Sequence, residues 1–195
     1  MGRKVGLTRN QVVEAAAAIA DRDGLDALSL ATLASTLGVR SPSLYAHVDG
    51  LAGLRRQLTF HAADLLTTEL AGCVDGFEGA AALRAIAEEL RSFALRHPGL
   101  YATFLPAPTP EEDPEVAAAL REPVTVVASV LDDMDVDPTT VIPLIRALRA
   151  AVHGFVDIEL GGGFGLPDDI DDSFTTTIDL VITAIAAHST SGANS

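Results

Sequence analysis

The sequence predicts an all-α fold of about nine helices, on three observations. Apolar residues recur at i, i+3, i+4 spacing along most of the chain, no segment shows the period-two alternation of a half-buried strand, and Gly and Pro fall between the periodic segments. The 195 residues, 48% of them hydrophobic, suffice to bury a full core. The expected organisation is a three-helix unit over residues 1–49, a linking helix over 50–71 and a larger helical body over 72–195.

Thr8 and Gln11 have the spacing of a capping box for the first helix, with Leu7 and Val12 as its hydrophobic staple. Val12, Val13, Ala16, Ile19 and Ala20 form its apolar stripe, and Gly24 ends it. Residues 29–48 then read as two short helices about a tight turn. Leu33, Ala34, Leu37, Val39 and Leu44 supply the apolar contacts of two crossed helices, with Ala34 small at the crossing and Gly38 free to take the positive φ of the turn. Ser41 is expected to cap the second of them and Pro42 to take its first position, where the missing N–H costs nothing. The outward face would carry Ser41, Ser43, Tyr45 and His47, groups that bind phosphates and base edges. That is the layout of a DNA-reading helix-turn-helix.

Asp49 can cap the next helix, in which Leu54, Leu58, Ala62, Leu65, Leu66 and Glu69 carry the pattern to Gly72. Leu83, Ile86, Ala87, Leu90, Phe93 and Ala94 define another, which His97, Pro98 and Gly99 end, followed by a short apolar turn over 100–105. Pro106, Pro108, Pro110 and Pro114, interleaved with Glu111, Glu112 and Asp113, predict an exposed loop. Leu120, Val124, Val127, Leu131 and Met134 give a further helix, kinked at Pro123.

The last two helices, over about 138–160 and 169–187, are apolar on more than one face. In the first, Ile145, Leu148, Val152, Phe155 and Val156 make one stripe, and Ala147, Ala151, Gly154 and Ile158 a second of mostly small residues. In the other, Thr177, Leu180 and Ala184 join Phe174, Ile178, Ile182 and Ile185. A helix apolar all round is buried all round, so the pair is expected to form half of an intersubunit four-helix bundle. Ala147, Ala151, Gly154, Ile158, Phe174, Ile178, Ile182 and Ile185 are its expected interface residues.

The net charge of −14 is unevenly placed. Residues 1–60 hold Arg3, Lys4, Arg9, Arg22, Arg40, Arg55 and Arg56 against Glu14, Asp21, Asp23, Asp26 and Asp49, a balance of +2, which leaves −16 for the rest. A positive head on an acidic body would orient toward phosphates. No run approaches about eighteen uninterrupted apolar residues, and no apolar leader precedes the first helix. A cytosolic, nucleoid-associated protein with no membrane partner is expected.

Other constellations read as structural. Asp133, Asp135 and Asp137 alternate as in a calcium loop, but Pro138 and Leu144 stand where such a loop needs glycine and glutamate, so no metal is expected. The glycines of residues 161–165 lack the last glycine of a dinucleotide fingerprint and no strand precedes them. Asp168, Asp169, Asp171 and Asp172 complement the dipole of the following helix. Cys73 is the single cysteine, so no internal disulfide can form, and no neighbouring charge activates its thiol. His61, His97 and His188 lack metal-ligand spacing and receive no role. No nucleophile stands beside a base, and neither an enzyme nor a cofactor is expected. His153 is either a core histidine or a pocket-lining donor; with Phe60, Phe93, Tyr101, Phe104, Met134 and Phe155 it is a candidate for the wall of a ligand cavity.

From about residue 7 to 185 the chain resembles the TetR family of transcriptional regulators. Residues 24–30, the turn Leu37-Gly38-Val39, and Ser43-Leu44-Tyr45-Ala46-His47-Val48 match the family's DNA-binding head. Residues 148–156, 161–166 and 172–174 resemble the C-terminal domain type known from its Trp-His-Gly motif, here Val152-His153-Gly154. Two positions depart: Ala46 replaces a usual aromatic, and Leu51 a lysine that reaches a phosphate, so DNA affinity is expected below the family norm.

The resemblance implies a homodimer, a repressor, whose two recognition helices enter successive major grooves of a pseudo-palindromic operator and whose body binds a small-molecule effector that releases the DNA. Arg3, Lys4, Arg40, Ser41 and Tyr45 would hold phosphates, Ser43, Leu44 and His47 would read base edges, and Ser29 and Thr32 complete the DNA-facing set. The implied partners are double-stranded DNA, a second copy and the effector. A helical protein-interaction module that has lost DNA binding is the alternative.

Overall fold

Local capping chemistry starts and stops the helices much as the spacing requires. In the computed structural model, which describes residues 7–105 and 107–189, the Thr8 hydroxyl accepts from the Gln11 amide at 3.3 Å while the Gln11 side chain accepts from the Thr8 amide at 3.0 Å. This box opens α1 (Arg9–Asp23), and Gly24, at φ 88°, closes it. A 3-10 turn, Leu25–Ala27, leads to α2 (Leu30–Thr36) and a second 3-10 helix, Ser41–Ala46. The remaining helices are α3 (Gly50–Cys73), α4 (Gly79–Arg96), α5 (Pro98–Ala102), α6 (Pro114–Ala119), α7 (Glu122–Asp133), α8 (Val141–Leu160) and α9 (Ile170–Ala186). The described residues hold no strand, only an isolated bridge between Val136 and Ser189, and the fold is all-α as expected.

Three prolines behave differently from expectation. Pro98, Pro114 and Pro123 stand in the first turns of α5, α6 and α7, so Pro123 starts a helix instead of kinking one, and the loop ends at Asp113. The first-turn N–H has no intrahelical acceptor, so its absence from proline is harmless there. Asp113 completes the start of α6 by accepting from the Val116 amide at 3.1 Å.

The chain divides into two compact units, Met1–Asp64 with Arg96–Leu120, and Leu65–Leu95 with Arg121–Ser195. The division falls within α3, after Asp64, and leaves α4 in the second unit but for its last residue, Arg96. The sequence reading assigns residues 96–120 to the larger body; they belong instead with the N-terminal helices, and the charge division changes accordingly. The first unit carries eight basic and ten acidic residues, the second five and seventeen.

In the first unit Val12, Ala16, Ile19 and Ala20 of α1 are buried together with Leu28, Leu33, Leu44, Leu54 and Leu58. Helix α5 lies against α1, where the Asp21 carboxylate accepts from the Leu100 amide at 3.0 Å and lies 2.9 Å from His97 Nδ1. Arg56 of α3 reaches Asp113 at 2.8 Å and Glu115 at 2.6 Å, with its guanidinium over the Phe60 ring. The Arg56 hydrogen bonds, aided by the Val116 amide, hold the Asp113 carboxyl down at about 2. Its contribution to stability is therefore present above the unfolded value of about 3.9 and is lost as pH falls through the folded one. An asparagine in its place would still cap α6 but carry no charge. Thermal melts should accordingly show Asp113→Asn below wild type at pH 6, with the gap closing between about pH 4 and 2; a gap independent of pH would mean that the ion pair contributes nothing.

In the second unit α8 packs against α7 and α9. Leu144, Ile145, Leu148, Val152, Phe155 and Val156 of α8 are buried, as are Phe174, Ile178, Ile182 and Ile185 of α9. These four α9 residues, read as subunit-interface residues, lie in the chain's own core; a helix with two apolar stripes offers no sequence signal for which of them faces inward. The small-residue stripe of α8 is the outward one, with Ala147 and Gly154 exposed and Ile158 47% exposed, and on α9 Leu180 is 69% exposed. Asp169 caps α9 by accepting from the amides of Asp171 and Asp172, and Asp137 accepts from the Thr139 amide and hydroxyl in its turn. Cys73 is pushed up to about 11, first by burial and then by Glu89. Among the described residues no helix is long and apolar enough to cross a membrane.

Candidate nucleic-acid interface

The turn between α2 and the Ser41–Ala46 helix is fixed by backbone bonds. Ser29 opens α2 by accepting from the Thr32 amide at 3.1 Å, and the Thr32 hydroxyl answers by accepting from the Ser29 amide at 3.0 Å. The Thr32 hydroxyl also donates to the Ser29 carbonyl at 2.9 Å, so both side chains are engaged locally at the start of α2. Val39 donates to the Ala34 carbonyl across the turn, where Gly38 takes φ 64°. A side chain at that φ would be strained, which is the reason for glycine there.

The second element is a six-residue 3-10 helix. Arg40, not Ser41, is its N-cap residue and makes no side-chain capping bond; Ser41 and Pro42 are its first two residues. With three residues per turn, Ser41, Leu44 and His47 fall on one face. Leu44 is wholly buried and Ser41 and His47 half-buried, while Ser43, Ala46 and Tyr45, 61% exposed, point outward. Leu44 is thus a core residue that anchors the element and not a base-edge reader. The α-helical period assumed in the sequence reading does not bring these three residues into line.

The basic residues are also less available than their number suggests. Arg22 pairs with Asp23, Arg55 reaches Asp26 at 3.5 Å and the Leu25 carbonyl at 3.3 Å, and Arg56 holds Asp113 and Glu115. Arg9 Nε donates to the His47 carbonyl at 3.2 Å. Arg40 is exposed, beside the recognition element, and makes no ion pair among the described residues. Arg3 and Lys4 lie outside the described residues. Leu51, in the first turn of α3, is half-buried.

The seven candidate cavity residues divide between the two units. Phe60 is under Arg56 and Tyr101 stacks edge-on to Phe104, all in the first unit. In the second, Phe93 is fully buried, and Phe155 lies between Phe164, at 4.7 Å, and Phe174, at 5.1 Å. The Met134 carbonyl accepts from the Ser189 hydroxyl, and His153 is half-buried. Sequence reasoning missed Arg9, His97 and Arg91, each of which has a partner remote in sequence: His47, Asp21 and Glu159. The side chain of Arg91, 13% exposed, forks onto Glu159 at 2.7 and 2.8 Å, reaches Asp171 at 2.8 Å, and lies over the rings of Phe155 and Phe174.

A family profile described as the tetracyclin repressor-like C-terminal domain matches residues 83–181. The chain is 36% identical over 182 residues to the uncharacterized HTH-type transcriptional regulator Rv0681 of Mycobacterium tuberculosis, covering 93% of this chain and 82% of that one. It is 31% identical to the uncharacterized HTH-type transcriptional regulator YobS of Bacillus subtilis, covering 91% and 92%. Its fold is similar to that of a Rhodococcus protein of unknown function, with a TM-score of 0.81 at 23% identity over 95% of this chain and 99% of that one. It is also similar in fold to a single-substitution variant of TetR from Acinetobacter baumannii in complex with minocycline, with a TM-score of 0.71 at 19% identity over 94% and 99%.

Proposed function

The chain belongs to the TetR family of helix-turn-helix transcriptional regulators, and on that premise we propose that it is a repressor that binds a pseudo-palindromic operator as a homodimer. The observation that carries this reading is the Ser41–Ala46 helix, anchored from below by buried Leu44 and presenting Ser43, Tyr45 and Ala46 to solvent. Ser43 and the exposed edge of His47 read base edges, while Tyr45, Ser41, Arg40 and the N-terminal Arg3 and Lys4 hold phosphates. Selection of bound duplex from a random pool should return two half-sites about one helical turn, or a multiple of it, apart. Tyr45→Ala should weaken binding to the recovered duplex about tenfold with an unchanged melting temperature, because the side chain stands clear of the core. A pool that never converges would overturn the reading.

The second copy is assigned to the outward stripe Ala147, Ala151, Gly154 and Ile158 of α8, with Leu180 and Ala184 of α9. A Cβ at Gly154 would meet nothing within 4 Å in the single chain. Gly154→Leu should therefore gain roughly 0.8 kcal/mol of helix propensity in a monomer. Against a closely approaching second copy it would instead overpack, at about 1 to 3 kcal/mol per site, twice by symmetry. The expected result is monomer in sedimentation at micromolar concentration and lost operator binding. A stabilised variant with its assembly unchanged would remove this stripe from the interface.

Release by a small molecule requires an effector that binds the DNA-incompetent state more tightly than the competent one. The likeness in fold to a minocycline-bound TetR supports such a ligand in the second unit, with half-buried His153 as one polar contact. The Trp-His-Gly type of body domain is part of the same reading.

A further inference from the structure

Helix α1 opens with a cation where the helix dipole favours an anion: Arg9 is its first residue, and no acidic residue stands in that turn. Helix electrostatics therefore give no reason for the arginine. Its Nε donates to the carbonyl of His47, 38 residues on. His47 is the C-cap residue of the Ser41–Ala46 helix, and its carbonyl is one of the acceptors that a helix end leaves without an intrahelical donor. With Nε so engaged, the four N–H groups on the two Nη nitrogens remain on the outer edge of the guanidinium. Away from His47, Arg9 borders an open depression of about 340 Å³ shared with Asn10, Gln57, Phe60 and His61 and with the carboxylates Glu14 and Asp64, and the residue is exposed.

We propose that Arg9 is the positioning residue of the recognition helix: Nε–H holds the His47 carbonyl and sets the angle at which Ser43 and His47 meet the bases, while the Nη groups take the neighbouring phosphate. The inference rests on the DNA-binding reading above. It explains why an arginine stands at a helix start that would be better served by an acid. Lysine, a point charge without an inner N–H, cannot make both contacts at once.

The test compares the full-length wild type with Arg9→Lys and Arg9→Met on the selected operator and on a scrambled duplex, across a salt series. Arg9→Lys should keep its affinity for the scrambled duplex within about twofold and keep the salt slope, yet lose about tenfold on the operator. Arg9→Met should lose the same discrimination, and its salt slope should fall by roughly one unit. Amide hydrogen exchange without DNA should quicken at residues 43–48 in both variants and stay unchanged in α2. Arg9→Lys discriminating as well as wild type, while wild type binds its operator, would reduce Arg9 to a phosphate contact and overturn the inference alone. A parallel loss on both duplexes together with a lowered melting temperature would make the role merely structural and also overturn it. Wild type that recovers no duplex would bring down the DNA-binding reading itself.

Discussion

Gly99→Ala should unfold the protein at a temperature about 6 to 12 °C below wild type, although alanine is the better helix former. A Cβ built at Gly99 lies 2.1 Å from the Ala20 carbonyl carbon, 2.3 Å from its oxygen and 2.5 Å from the Asp21 nitrogen. All three are backbone atoms of α1 and cannot rotate away, so α5 must back off. That movement would pull the Leu100 amide and the His97 ring from the Asp21 carboxylate, at 3.0 and 2.9 Å. Loss of this docking adds to the steric term and places the cost at about 3 kcal/mol, the upper end of ordinary overpacking. Gly154→Ala, by contrast, meets open space in the single chain. Denaturant melts of the two variants decide the matter: a Gly99→Ala protein as stable as wild type would mean that α1 and α5 do not approach this closely.

Why Gly99 is glycine is not legible in the sequence, and the reason is general to what sequence reasoning misses. Signals confined to a few residues are readable: the Thr8–Gln11 box, the positive φ of Gly38, the Asp169 cap and the spacing of Leu33, Ala34 and Leu44 all follow from local chemistry. Gly99 next to Pro98 looks like a helix stop in one dimension, whereas its function is contact with a helix some eighty positions earlier. The arginines present the same difficulty. Counted in sequence, the first sixty residues are positively balanced, but Arg56 is taken up by Asp113, 57 residues away, and that acidic segment belongs to the same compact unit. Leu44 is a different case: its spacing places it among the apolar contacts of the two helices, the resemblance implies a base-edge reader there, and a wholly buried side chain can be only the first. Six residues cannot reveal whether the period is 3.6 or 3.0, so the half-burial of Ser41 and His47, both expected on the outward face, is not legible either.

The second large effect should come from Arg91. Its guanidinium forks onto Glu159, the two side chains being 13% and 15% exposed, and the rings of Phe155 and Phe174 lie beneath it. The Glu159 hydrogen bonds, the leading cause, raise Arg91 above the ordinary arginine value, so the guanidinium is charged throughout the accessible pH range. Arg91→Met keeps most of the aliphatic volume but leaves the Glu159 carboxylate buried without a counter-charge, an arrangement that typically costs about 3 to 5 kcal/mol. Arg91→Lys should recover part of that loss, since an ammonium satisfies one oxygen and cannot fork across two. The double variant Arg91→Met with Glu159→Met should recover most of it, because an apolar pair of similar volume needs no desolvated charge. Asp171, which also touches Arg91, is 82% exposed, so Asp171→Asn should cost less than about 1 kcal/mol. Urea melts of these variants, with Glu159→Met alone added to complete the cycle, measure the coupling between Arg91 and Glu159 directly. An Arg91→Met protein within about 1 kcal/mol of wild type would mean that water reaches Glu159, and that the aromatic floor of Phe155 and Phe174, rather than the ion pair, joins α4 to α8 and α9.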